Sequence, residues 1–190
     1  MVNASAPVCK YILWHWLNTT TGEKRPFACG SWHCLAHRRQ LAWFWATRVA
    51  AEGPERMVTI TSIPKDRREA YFAFQQLIQA IRRKGWAFEY VRFFEVSPRG
   101  AYHFHLGQKG RFIPQRVLSS LASANGLGRI VDIRKCFGAG PGWYMSKYIA
   151  KGLDELPAGW RKVSASRRFF TGEKPEPTPP TAWVLVKAPL

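Results

Sequence analysis

His103-Phe104-His105 sets two imidazoles two residues apart in a run, Ala101 to Gly107, whose residue types suit a β-strand. On a strand such residues share one face, and Phe104 turns into the core behind them. Convergent imidazoles are metal-ligand chemistry, although two half-exposed strand residues would produce the same pattern. The preceding strand, Phe88 to Val96, carries Glu95. Whether that carboxylate joins the histidines depends on the turn. A two- or four-residue loop would pair Glu95 with Tyr102, on the opposite face. A three-residue loop, Pro98-Arg99-Gly100, would pair Glu95 with His103. Pro98 suits the second position of a type I turn and Gly100 the left-handed residue after it. The turn chemistry therefore favours Glu95, His103 and His105 together, a two-imidazole, one-carboxylate set for a divalent cation that can polarise a phosphoryl oxygen.

A second constellation lies in Tyr144-Met-Ser-Lys147-Tyr148-Ile-Ala-Lys151. In a helix over Trp143 to Leu153, Tyr144 and Tyr148 stand at i and i+4 on one face, with Lys147 and Lys151 beside them. Aromatic residues at this spacing also suit a core. Lysine neighbours suggest a phenol nucleophile instead, because a phenol of pKa near 10 attacks at neutral pH only when a cation stabilises its phenolate.

Cys9, Cys29, Cys34 and His37 form a third set. Cys-x4-Cys-x2-His with an upstream Cys reads as a structural zinc site of three thiolates and one imidazole. His33 and His15 are alternative nitrogen donors, and simple burial of Cys9 and Cys29 is the competing reading. Cys136 reads as a core thiol.

The elements that must position these residues follow from periodicity and breakers. Lys10 to Leu17 and Lys24 to Cys29 read as strands around a turn at Asn18 to Gly22. Arg38 to Ala51 reads as a helix that ends before Gly53-Pro54. Then come a strand (Arg56 to Ser62), a helix (Asp66 to Lys84, with Phe72, Leu77, Ile78 and Ile81 as its apolar residues) and the two strands of the hairpin. A helix from Pro114 to about Ala124, a strand from Arg129 to Arg134 and the tyrosine helix complete the order. The expected fold class is α+β, a ferredoxin-like or RRM-like antiparallel sheet with helices on one face. Residues 1–52 form a zinc-binding element and basic helix, 53–170 the main domain, and 171–190 a Pro-rich tail in which Trp183 to Val186 could dock as a strand.

The chain has 190 residues and carries 29 Lys plus Arg against 12 Asp plus Glu, for a net charge of +17. Its 46% hydrophobic content and nine Trp exclude a disordered basic tail. No stretch approaches the roughly 20 apolar residues of a membrane span, and the N-terminus lacks the pattern of a signal peptide. These features point to a soluble intracellular protein that binds nucleic acid. Arg38, Arg39, Arg82, Arg83, Lys84, Arg161, Arg167 and Arg168 are expected to contribute collectively to a backbone-binding surface.

His-hydrophobe-His followed by Tyr-x-x-Lys-Tyr-x-x-Lys resembles the HUH endonuclease superfamily, specifically the two-tyrosine rolling-circle replication initiators of phages and plasmids. Val58-Thr-Ile-Thr-Ser62 is similar to the family's Thr-rich strand, Lys162 to Arg168 to a basic Ser-Arg segment, and Glu95 to a carboxylate ligand of some relatives. The Cys-Gly-x-x-x-Cys run is similar to an element that usually ends in Cys where this chain has His37. The resemblance spans roughly residues 55–170. It implies Mn²⁺ or Mg²⁺ at Glu95, His103 and His105, Tyr144 and Tyr148 as alternating nucleophiles, and Lys147 offsetting their charge. It further implies single-stranded origin DNA as substrate, nicked and rejoined through a 5′-phosphotyrosyl link, with host helicase and polymerase as partners in a bacterial cytoplasm. The alternatives are a single-tyrosine transposase or relaxase of the same superfamily, and a non-catalytic zinc-containing nucleic-acid-binding protein.

Overall fold

The computed structural model describes residues 9–27, 29–34, 36–63, 66–137, 144, 162–172 and 182–188. The chain divides into two compact units, Met1–Phe44 with Gly172–Leu190, and Trp45–Thr171. The class is α+β, as expected, with two antiparallel sheets and three helices among the described residues.

In the first unit, β1 (Trp14–Asn18) and β2 (Lys24–Pro26) form the N-terminal hairpin, both shorter than expected. Asn18 organises its turn by accepting hydrogen bonds from the backbone N–H groups of Thr20 and Thr21, and Gly22 takes φ of +73°, which a side chain would oppose. The apolar end of the tail is a strand, β8 (Trp183–Lys187), paired antiparallel along the whole of β1. The sheet order is β2-β1-β8. Helix α1 (Arg38–Glu52) follows in sequence.

The second unit contains β3 (Arg56–Thr61), α2 (Arg67–Arg83), β4 (Phe88–Val96), β5 (Tyr102–Gly110), α3 (Gln115–Ala124), β6 (Val131–Lys135) and β7 (Val163–Ala165). Its five strands lie in the order β6-β3-β5-β4-β7, every pair antiparallel. Asp66 caps α2 by accepting the Arg68 backbone N–H at 2.8 Å. Arg82 and Arg83 lie in the last turn of α2, where cations suit the helix dipole.

Even-numbered side chains of the central strands meet α2. Phe74 stacks on Phe104 at 4.8 Å between centroids and meets Tyr90 edge-on. Leu77, Ile78 and Ile81 are buried with it, but Phe72, expected among the apolar residues of this helix, is 65% exposed, and Phe74 takes the core position. The core also encloses Arg92, 0% exposed, whose guanidinium lies over the rings of Tyr71 and Phe74 and donates to the Tyr71 hydroxyl. With the even-numbered side chains committed to the core, the odd-numbered ones of β3, β4 and β5 share the opposite face.

Candidate functional site

The hairpin between β4 and β5 determines that opposite face. Gly100 N–H donates to the Ser97 carbonyl at 2.9 Å, Ser97 N–H to the Ala101 carbonyl at 2.8 Å, and Gly100 takes φ of +75°. Pro98, Arg99 and Gly100 therefore make the three-residue loop, and Glu95 pairs with His103 in the ladder. The imidazoles of His103 and His105 stand nearly parallel, 6.2 Å apart between centroids. Glu95 Oε2 lies 3.5 Å from His105 Nε2. The structure thus brings Glu95, His103 and His105 to one face.

Strand β3 supplies what the sequence reading did not assign. Thr61 pairs with His103 and Thr59 with His105. Thr61 Oγ1 is 3.0 Å from His103 Nδ1, and Thr59 Oγ1 is 3.1 Å from His105 Nδ1. A hydroxyl that accepts from Nδ1–H holds the ring upright and leaves the Nε2 lone pair for a ligand. The signal was present as alternation, since Val58 and Ile60 are buried and Thr59 and Thr61, which alternate with them, must face the other way.

Asp132 of β6 pairs with Thr59 and so belongs to the same row as His105, with Phe93 and Val163 on its far side. Arg134 Nε holds the Asp132 carboxylate at 2.7 Å. Sequence reasoning passed over this residue, although Val131-Asp-Ile-Arg alternates as cleanly as β3 does.

Of the tyrosine helix, Tyr144 is described: it is helical and 40% exposed. Tyr148, Lys147 and Lys151 lie outside the described residues, as do most of the residues of that expected helix.

In the first unit, Cys9, Cys29, Cys34 and His37 converge, with one ligand atom from each and all of these within 4.8 Å of one another. It is the one such group of three or more donors among the described residues. His37 Nδ1 is 3.4 Å from Cys9 Sγ and 3.3 Å from Cys34 Sγ. Those separations approach the roughly 3.5 Å expected between ligands about 2.0 and 2.3 Å from a tetrahedral zinc. The local chain explains the convergence. Gly30 takes φ of +73° just after Cys29, and the His37 and Arg38 N–H groups both donate to the Cys34 carbonyl, closing the turn into α1.

The thiols are electrostatically unequal. Burial pushes the Cys29 thiol up to about 11, opposed by a hydrogen bond from the Ser31 backbone. Burial also resists ionisation of Cys34, yet hydrogen bonds from the His37 backbone and from Cys9 and Cys29 outweigh it and hold Cys34 below the usual thiol value. One thiolate-prone sulfur among three is a favourable start for capturing a cation. The group could hold a metal such as zinc. Cys136, expected in the core, is only half-buried; burial raises its pKa.

Among the described residues, no helix is long and apolar enough to cross a membrane. No known family, curated protein or solved structure matches the chain.

Proposed function

We propose that this protein is a tyrosine-dependent single-strand DNA nickase and ligase of the HUH type, a replication initiator acting at an origin. The observation that carries this reading is the placement of Glu95, His103 and His105 on one face, both imidazoles held at Nδ1 by threonines of the neighbouring strand. The succession β3-α2-β4-β5-α3-β6, with spatial order β6-β3-β5-β4, supports a ferredoxin-like HUH fold for the second unit.

In this reading Mn²⁺ or Mg²⁺, when bound, would polarise the scissile phosphate and offset its charge. Glu95, His103 and His105 would hold the ion, with Thr59 and Thr61 keeping both rings in the ligating tautomer. The phenol of Tyr144 or Tyr148 gives up its proton and its oxygen attacks phosphorus. The bond from phosphorus to the 3′ oxygen breaks, and that oxygen takes a proton to become a free 3′-hydroxyl. The DNA 5′-phosphate is left esterified to the tyrosine. One phosphodiester replaces another, so the step is near neutral in energy and the reverse attack rejoins the strand. Lys147 would stabilise the phenolate, and the second tyrosine would cleave the regenerated origin. In this reading the Cys₃His group is a structural zinc site. A host polymerase would extend the free end while a host helicase unwinds the duplex.

The test mixes the protein with end-labelled single-stranded oligonucleotides that carry a candidate origin, plus Mn²⁺ or Mg²⁺. A covalent adduct that needs the metal and is lost in Tyr144→Phe with Tyr148→Phe is expected. An adduct that survives the double substitution overturns the reading, and single substitutions separate the two-tyrosine mechanism from a one-tyrosine relaxase or transposase.

A further inference from the structure

On the far side of α3 from its buried residues Leu118 and Ala122 lies a groove of about 490 Å³, lined by Arg116, Ser119, Ser120, Ser123 and Ala124 of the helix and by Arg129 of the loop that follows. Among the described residues no carboxylate lines it. Arg116, Ser120 and Ser123 recur at the spacing of one helix face. Arg116 stands in the first helical turn, where there is no acidic residue and no side-chain cap. A cation there opposes the helix dipole, so it is a cost to α3 unless an anion sits nearby. Neither the Arg116 nor the Arg129 guanidinium makes an ion pair among the described residues.

The groove is tied to the end of β3 by three consecutive residues. Ser119 Oγ donates to the Arg129 carbonyl at 2.6 Å, which fastens the loop to α3. Gly128 N–H donates to the Thr61 carbonyl at 3.1 Å, and Thr61 N–H to the Ile130 carbonyl at 3.0 Å. Thr61 is also the residue whose hydroxyl meets His103. Gly128 allows this close approach, because a Cβ there would fall 2.4 Å from the Thr61 carbonyl oxygen. Arg129 is therefore positioned next to the end of β3, where the histidine row lies. Exposed Ile130 and Ile63 stand at the same edge.

We infer that this groove binds the phosphodiester backbone of the DNA strand that leads to or from the histidine face. Arg116 and Arg129 contact phosphates and the Ser120 and Ser123 hydroxyls donate to their oxygens. A path of about 12 Å along α3 from Arg116 to Ala124 is longer than one phosphate, which favours a polymer over a small free anion. The identity of the strand rests on the function proposed above.

The test measures anisotropy of a labelled single-stranded oligonucleotide without added divalent ions, from low to moderate salt, with the full zinc-loaded chain. Each lost single-strand phosphate contact flattens the dependence of log affinity on log salt by about 0.7. Arg116→Gln with Arg129→Gln is expected to lower the slope by about 1.4, with an unfolding midpoint no lower than that of the wild type. Ser120→Asp, which puts a like charge in the groove and keeps both arginines, is expected to weaken binding at least tenfold. Unchanged slope and affinity in these folded variants would overturn the groove, whatever the adduct assay shows. A lowered slope without any covalent adduct in the wild type would keep the groove and discard the nickase.

Discussion

Thr61 Oγ1 lies 3.0 Å from His103 Nδ1, across the β3–β5 pair that sets the two residues side by side. Thr59 repeats the arrangement with His105 at 3.1 Å. Strand pairing, rather than a loop, therefore orients both rings. In the proposed metal site, removing the hydroxyl would free the ring to rotate and to place its proton on the nitrogen meant for the ion. Thr61→Val is expected to weaken Mn²⁺ binding by about tenfold or more, as does loss of other partners of metal-bound histidines. Thr61→Ser should restore most of it. Titration followed by Mn²⁺ paramagnetic resonance reads this directly; equal affinities for Val and wild type would show that the hydroxyl orients nothing.

Gly128→Ala places a methyl 2.4 Å from a backbone oxygen of Thr61, which cannot swing aside as a side-chain tip would. The loop or the end of β3 must shift, at a cost of about 1–3 kcal/mol. A lower denaturation midpoint is expected, together with weaker Mn²⁺ binding at the proposed site, since Thr61 carries the hydroxyl that meets His103. Gly53→Ala is a useful contrast: its Cβ meets nothing within 4 Å, and the strain comes from φ of +59° alone.

Arg92 is a buried cation whose Nε and Nη1 have no hydrogen-bond partner among the described residues. Its contacts with Tyr71, Phe74 and Phe104 are cation–π, each worth about 1–2 kcal/mol when desolvated. Desolvating the guanidinium costs several kcal/mol. Arg92→Met keeps the length and removes the charge, so unfolding free energy should be unchanged or higher. Arg92→Ala should lose about 2–4 kcal/mol to the cavity. A large loss in the Met variant, by urea denaturation, would show that the charge itself is needed.

Tyr90 supplies a pH signature. Burial raises its phenol above 10.0, against the pull of the Arg92 and Arg82 guanidiniums. In the unfolded chain the phenol ionises near pH 10, while in the folded chain it still holds its proton. The unfolded state therefore binds fewer protons there, and stability falls as pH rises beyond about 10. Tyr90→Phe should flatten that decline, read from urea midpoints between pH 9 and 11. An unaltered slope would place Tyr90 in water.

For the cysteine cluster, about one zinc per chain is expected by metal analysis, falling sharply in Cys34→Ser. In chelator-treated protein, Cys34 should react with iodoacetamide well before Cys29, because its thiol is lowered while that of Cys29 is raised to about 11. Added zinc should protect both. Equal alkylation of the two would remove the electrostatic distinction between them.

What could be read in advance was what local stereochemistry decides. Pro98 and Gly100 specify a turn, the turn specifies a register, and the register places Glu95 opposite His103. The cysteine set was legible because ligand spacing is a local pattern too. Asp132 was not, because its place beside Thr59 depends on β6 joining the free edge of β3 after a helical crossover. The choice between Phe72 and Phe74 likewise turns on which face of α2 meets the sheet, and only the tertiary partners Tyr90 and Phe104 decide it. The docking of Trp183–Lys187 on β1 depends on an edge far away in the chain.

That last pairing has a consequence for synthesis. Thr19 N–H donates to the Ala182 carbonyl, 163 residues further along. A ribosome adding about 5–20 residues per second leaves roughly 10–30 s between the two. Throughout that interval β1, the middle strand of its finished sheet, has an open edge able to recruit any passing strand. Expression should therefore be sensitive to chaperone supply and growth temperature, and removing residues 182–188 would make that temporary hazard permanent.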